Sequence, residues 1–84
     1  MKILHLFRNP PDALAEDMIE AQGDKNSITA VLIQEAALWT GNLPCDILAL
    51  KEALKGKPPQ AKRPTIGYKG LLELIFENDV VISW

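Results

Sequence analysis

At 84 residues, 48% of them hydrophobic, the chain has room for a single domain over residues 1–84, near the small end of those that fold alone. Its 9 Lys and Arg against 11 Asp and Glu leave a formal net charge of −2, so there is no overall basicity of the kind that direct nucleic-acid binding requires. One cysteine excludes an internal disulfide, one Cys with one His excludes a zinc cluster, and no apolar run is long enough to span a bilayer.

The first predicted element is a strand over Ile3–Phe7, stopped by Asn9-Pro10-Pro11. Lys2, His5 and Arg8 interrupt its apolar residues, so residues 1–9 lack a signal-peptide core and a cytoplasmic location is expected. His5 lies inside this strand, where a histidine serves as a hydrogen-bonded core residue or as a contact with another chain. Asn9 is the expected cap of the next helix, with Pro10 in its first position and Asp12 in its first turn. Leu14, Ala15, Met18, Ile19 and Gln22 then share one face, Glu16, Asp17 and Glu20 turn to water, and Gly23 is the stop.

The run Ser27–Thr40 organises the rest. Ile28–Ile33 is continuously apolar and β-branched, which predicts a strand buried on both faces, and Gln34-Glu35 leads from it into a short helix through Ala36–Trp39. In so short a chain only flanking helices can cover both faces, which points to a small parallel α/β sheet. Gln34 then falls at the carboxyl edge of the sheet, where open α/β folds place ligands and partners. Trp39 is expected to pack on a neighbouring element or in a subunit contact.

Asp46–Leu50 is predicted as the third strand, introduced by Pro44 and Cys45 and followed by a charged, helix-favouring stretch over Lys51–Lys55. Gly56–Pro64, with three prolines and three cations, reads as an exposed loop. A weak fourth strand over 64–68 precedes the strongest helical pattern in the chain, Tyr68, Leu71, Leu72, Ile75 and Phe76, and Val80–Trp84 completes a fifth strand. The predicted fold is α/β, a single small three-layer domain whose mostly parallel five-stranded sheet has the order 2-1-3-4-5 and helices on both faces.

Charge is unevenly spread. Residues 12–35 hold Asp12, Glu16, Asp17, Glu20, Asp24 and Glu35 against Lys25 alone, whereas 51–69 hold Lys51, Lys55, Lys57, Lys62, Arg63 and Lys69 against Glu52 alone. These are two solvated faces or complementary patches for assembly.

Several chemistries lack their residues. There is no G-x-G-x-x-G or P-loop, and the turn after the first strand, Arg8-Asn-Pro-Pro11, loses two N–H donors that an anion would need. Ser27 and Ser83 stand in no nucleophile-elbow context. Cys45 is the sole sulfur nucleophile, but Asp46 beside it raises the thiol pKa and no helix dipole lowers it, which favours a structural cysteine over a persulfide carrier.

In order and spacing, Ile3-Leu-His-Leu with Asn9-Pro10, Val31-Leu-Ile-Gln34, Ile47-Leu-Ala-Leu50 with Glu52, Ile66-Gly-Tyr68 with Leu71 and Leu72, and the final Trp84 together resemble the TusB/DsrH family. These are small α/β subunits of bacterial sulfur-relay complexes, related to DsrE and DsrF. The resemblance implies a role in sulfur transfer, toward 2-thiolation of the tRNA wobble uridine or in oxidative sulfur metabolism. It also implies partners, DsrE/DsrF-like (TusC/TusD-like) subunits, with tRNA touched only indirectly. The cysteine that some DsrH members carry in the first helix is absent from Asp12–Gln22, and Glu35-Ala36 replaces the family's usual Asp/Asn-Gly after the glutamine.

The resulting expectation is a non-catalytic subunit without metal or cofactor. Gln34, Lys51 and Tyr68 would line a shared edge, with His5 and Trp84 as further contacts. Two alternatives stay open, a sulfurtransferase carrying persulfide on Cys45 and a free-standing homodimer with a binding or scaffold role.

Overall fold

The computed structural model of the chain describes residues 1–58 and 63–84. Pro59, Gln60, Ala61 and Lys62, in the middle of the expected proline-rich loop, lie outside the described residues. The elements run β1 (Lys2–Phe7), α1 (Ala13–Gln22), β2 (Ser27–Leu32), a first 3-10 turn (Gln34–Leu38), β3 (Asp46–Leu50), a second 3-10 turn (Lys51–Leu54), β4 (Thr65–Ile66), α2 (Tyr68–Glu77) and β5 (Val80–Ser83). All strand pairings are parallel, as the continuous apolar run in β2 implies. No helix of the described chain is long and apolar enough to cross a membrane.

The strand order is β4-β3-β2-β1-β5, which replaces the expected 2-1-3-4-5. The expected order left β2 on an edge, although Ile28, Ala30, Val31 and Leu32 are all buried and call for a neighbour on each side. The connection at 33–45 contains only a 3-10 turn, so it steps to the adjacent position instead of vaulting β1. Four strands thus advance in one direction, and the chain returns once, from β4 to β5. Right-handed crossovers then place α1 and both 3-10 turns over one face of the sheet and α2 alone over the other. At 1.5 Å per residue, α2 spans roughly 15 Å, enough to bridge much of the return distance.

The α1 face holds the main core. Ile3, Phe7, Ile28, Ala30, Leu32 and Ile47 project from alternate positions of three strands onto Ala15 and Ile19 of α1 and Ala36 of the first 3-10 turn. Helix α1 starts one turn later than expected: Asp12, not Asn9, is its cap, with Oδ1 accepting from the backbone N–H of Ala15 at 2.9 Å. That bond satisfies one of the free donors of the first turn. Of the five residues predicted on its inner face, Ala15 and Ile19 are buried and Gln22 reaches the core through a hydrogen bond, while Leu14 and Met18 are exposed.

Both short connections expected to be α-helical are 3-10 turns. Each leaves a strand abruptly and offers too few residues to offset helix nucleation. Trp39 packs on a neighbouring element, as expected, and the partner is Arg63. The guanidinium stacks over the indole at 5.1 Å and donates to the Trp39 carbonyl. Arg63 is therefore buried, not part of an exposed loop. Gly41 lies so close to the indole that a Cβ there would sit 2.2 Å from the ring.

Candidate functional site

The molecule offers three places where chemistry-bearing side chains gather. The first is at β1 and β5. The His5 ring is completely buried, 0% exposed, and bonded at both nitrogens. The Trp84 indole N–H donates to Nδ1 at 2.9 Å; because an indole can only donate, Nδ1 carries no proton. The proton therefore sits on Nε2, which donates to Oε1 of Gln22 at 2.8 Å. Burial holds the His5 pKa below its ordinary value, partly opposed by the Gln22 bond. His5, Phe7 and Trp84 form a stack of near-parallel rings with centroids about 6 Å apart. Trp84 is further held by its backbone N–H to Leu6 at 2.9 Å and by Arg8, whose Nε donates to its carbonyl at 3.2 Å. Of the two roles expected for His5, core residue or contact with another chain, its enclosure bears out the first, while Trp84, which clamps it, is itself half-buried.

The second place surrounds Cys45, just before β3 begins. The thiol is half-buried, and desolvation together with the carboxylate of Asp46 pushes its pKa up to about 11. With its pKa that high the thiol is protonated at neutral pH, the form that is the poorer nucleophile.

The third is the carboxyl edge of the sheet between β3 and β4. Here the outgoing connections go to opposite faces, the second 3-10 turn to one and α2 to the other, and a crevice opens between them at the carboxyl ends of the strands. Its volume is about 640 Å³. Ile33, Leu38, Leu50, Leu54 and Leu71 form floor and walls, and Ala53 completes them. Around the mouth stand Gln34, Glu35, Lys55, Lys57 and Tyr68.

Backbone conformation singles out the same rim. Gln34 at φ 50° and Lys55 at φ 51° are the two non-glycine residues in the left-handed region among the described residues, and both line this crevice. A long side chain in that region costs roughly 1–2 kcal/mol, which the surrounding packing has to offset. At Gln34 it is imposed by a tight turn, in which the Ala36 N–H reaches the Ile33 carbonyl at 3.1 Å and the Arg8 carbonyl at 3.3 Å. At Lys55 it ends the 3-10 turn, followed by Gly56 at φ 82°.

Two of the expected edge residues, Gln34 and Tyr68, are therefore brought together. Lys51 is exposed and faces an adjoining hollow of about 460 Å³ beside Glu52 and Thr65, which shares Leu54, Lys55 and Lys57 with the crevice. Sequence reasoning placed Glu35 with Gln34 at this edge and Lys57 in the basic loop, but did not single out Lys55. The signal for Lys55 was the adjacent Gly56, which marks a left-handed turn bringing cations back over the strand ends. Among the described residues no group of three or more His, Cys, Asp or Glu side chains could hold a metal ion.

A different feature marks the surface. Along α2 the sheet takes Gly70, Leu71, Leu74 and Ile75, all half-buried, whereas Tyr68, Leu72 and Phe76 form a row at i, i+4 and i+8 pointing outward. They are 63%, 54% and 80% exposed. No residue of α2 is buried, although it carries the strongest apolar pattern in the chain. Compared with protein-family models, with curated proteins and with solved structures, the chain matches none.

Proposed function

We propose that this chain is a non-catalytic DsrH/TusB-like subunit of a cytoplasmic sulfur-relay complex, supporting tRNA wobble-uridine 2-thiolation or oxidative sulfur metabolism. The family reading rests on the sequence resemblance. The observation that carries the subunit role is the outward row Tyr68, Leu72 and Phe76, large, mostly exposed apolar side chains aligned on one helix. Such a row on a small domain is the mark of a docking surface. DsrE/DsrF-like chains are its proposed occupants. The high pKa of Cys45 supports an accessory role over that of persulfide carrier.

A second reading, a homodimer, is favoured by the order of charges on the same helix. Lys69 lies near its start and Glu73 and Glu77 toward its end, so two copies packed antiparallel through the row set lysine against glutamate at both ends.

Native mass spectrometry of the tagged protein from its own cells separates the two. Masses that include DsrE- and DsrF-like chains, lost in Leu72→Asp and Phe76→Asp, support the subunit role. A twofold mass of the chain alone supports the homodimer. A bare monomer sinks both. A Cys45→Ser variant that loses sulfur-relay activity while keeping its partners would overturn the non-catalytic assignment.

A further inference from the structure

The crevice between the second 3-10 turn and α2 has the makings of a small-molecule site, and it shares only Tyr68 with the outward row of α2. We infer that it binds an amphipathic organic anion, with an apolar body seated on Leu50, Leu54 and Leu71 and a carboxylate-like or sulfonate-like group held at the mouth by Lys55 and Lys57.

Four observations converge on this. The volume, about 640 Å³, lies within the range of sites that take small organic ligands. The crevice sits at the carboxyl ends of parallel strands, the edge of the sheet on which open α/β folds place their ligands. Its lining is mainly aliphatic, which suits a hydrocarbon or aromatic body and leaves little to satisfy a fully polar one. Among the lining residues Lys55 and Lys57 outnumber the one carboxylate, Glu35, while the nearby Glu52 accepts from the Tyr68 backbone N–H at 3.4 Å and stands beside Lys51, so the lining favours an anion.

The rim also has a held shape. Both left-handed non-glycine residues of the described chain, Gln34 and Lys55, stand on opposite sides of the opening. Their conformation has a cost, and it sets one amide side chain and one cation at the mouth in advance of any ligand. Tyr68, on the first turn of α2, adds an exposed ring at the rim on which a planar ligand can stack.

A nucleotide fits less well. The phosphate cradle of such sites is made of consecutive free backbone N–H groups in a glycine-rich loop, and Lys51–Lys57 has one glycine, in a turn that follows the 3-10 segment. A single anionic head on an apolar body needs only what is present.

The probe for the test is anilinonaphthalene sulfonate, an aromatic body with one sulfonate, followed by its fluorescence on the purified full chain. Saturable binding is expected at one site per chain, and decanoate should displace the dye roughly tenfold more effectively than decanol, the equivalent of one charge-assisted contact. The double variant Lys55→Asn, Lys57→Gln should weaken dye binding about tenfold or more without unfolding, since both positions are exposed and asparagine tolerates the left-handed backbone of Lys55. Ala53→Phe, which fills the crevice from its wall, should also abolish binding. Phe76→Ser is the control for dye lying on the outward row and should leave binding unchanged. No saturable binding, equal displacement by decanol, indifference to the lysine variants, or loss of binding in Phe76→Ser would each overturn the inference. None of these outcomes depends on which chains associate with the protein, so the site and the subunit reading stand or fall separately.

Discussion

The two faces of the sheet are built on opposite terms. On the α1 face a helix of modest amphipathicity is drawn into a core with Phe7, Ile19 and Leu32 fully enclosed, and the buried polar ring of His5 is bonded on both sides. On the other face α2, with the more pronounced apolar pattern, has no buried residue and turns three large side chains outward. The difference teaches that apolar content does not measure how deeply a helix is buried. Helix α1 offers Ala15 and Ile19 to three strands at once, whereas α2 is apolar on more of its circumference than the sheet can cover. What remains uncovered is surface left for something else.

If the α1 face carries most of the stability, the largest loss comes from its largest enclosed ring. Phe7→Ala should destabilise the chain by about 3–5 kcal/mol, from lost burial and the cavity left among Ile19, Leu32 and Trp84. For a domain with a total of roughly 5–15 kcal/mol this is severe, and a urea titration followed by tryptophan fluorescence measures it. A loss below 1 kcal/mol would mean that the two faces are not unequal.

The contact that α2 does make with the sheet is tested next. Gly70 stands against Ile66 of β4, and a Cβ there would meet the Ile66 side chain at 2.6 and 2.9 Å. In an exposed helix Gly→Ala would stabilise by about 1 kcal/mol, but here crowding of the order of 1–3 kcal/mol opposes that gain. Gly70→Ala is therefore expected to be destabilising on balance, and adding Ile66→Val should restore part of the loss. A stabilised Gly70→Ala protein would show α2 to be barely seated.

The buried histidine gives the α1 face a pH dependence that α2 lacks. Burial lowers the His5 pKa in the folded chain below its ordinary 6.5, so just below pH 6.5 the unfolded chain binds the proton better. Stability is thus fully present above about 6.5 and is lost as pH falls toward the folded pKa, the slope of stability against pH being positive in that window. Protonation at Nδ1 also removes the acceptor for the Trp84 indole. Melting temperatures between pH 7 and 5 should fall in the parent and stay flatter in His5→Gln. Parallel curves would show that the ring is not titrating as placed.

The smallest effect belongs to the outward row. Phe76→Ser and Leu72→Ser should change the stability of the isolated monomer by no more than about 0.5 kcal/mol, as is usual for exposed positions. A greater loss in denaturant titrations of dilute protein would mean that the row is packed within the chain and is not a docking surface.

Much of this architecture is legible in the residues. The uninterrupted Ile28–Leu32 run demands cover on both faces, so a parallel α/β sheet follows from it, and Asp46–Leu50 has in the structure the bounds its sequence implies. Gln34 and Tyr68 belong to the rim of one crevice because each ends or follows a strand on the same edge. Lys55 and Lys57 were less legible, since their place depends on a left-handed turn at Lys55, a conformation that lysine rarely adopts by its own preference.

The sequence by itself determined the strands, their parallel direction and the two α-helices, together with the smaller, local part of the Cys45 pKa rise, that due to Asp46. These depend on interactions within a few residues of each other, which pattern and spacing encode. Tertiary structure alone decided the strand order, the enclosure of His5 by Gln22 and Trp84, and which side of α2 meets the sheet. Each of these joins residues distant in the chain, and a helix whose apolar side chains cover more of its circumference than the sheet can take has no single preferred side until the strands beneath it are in place.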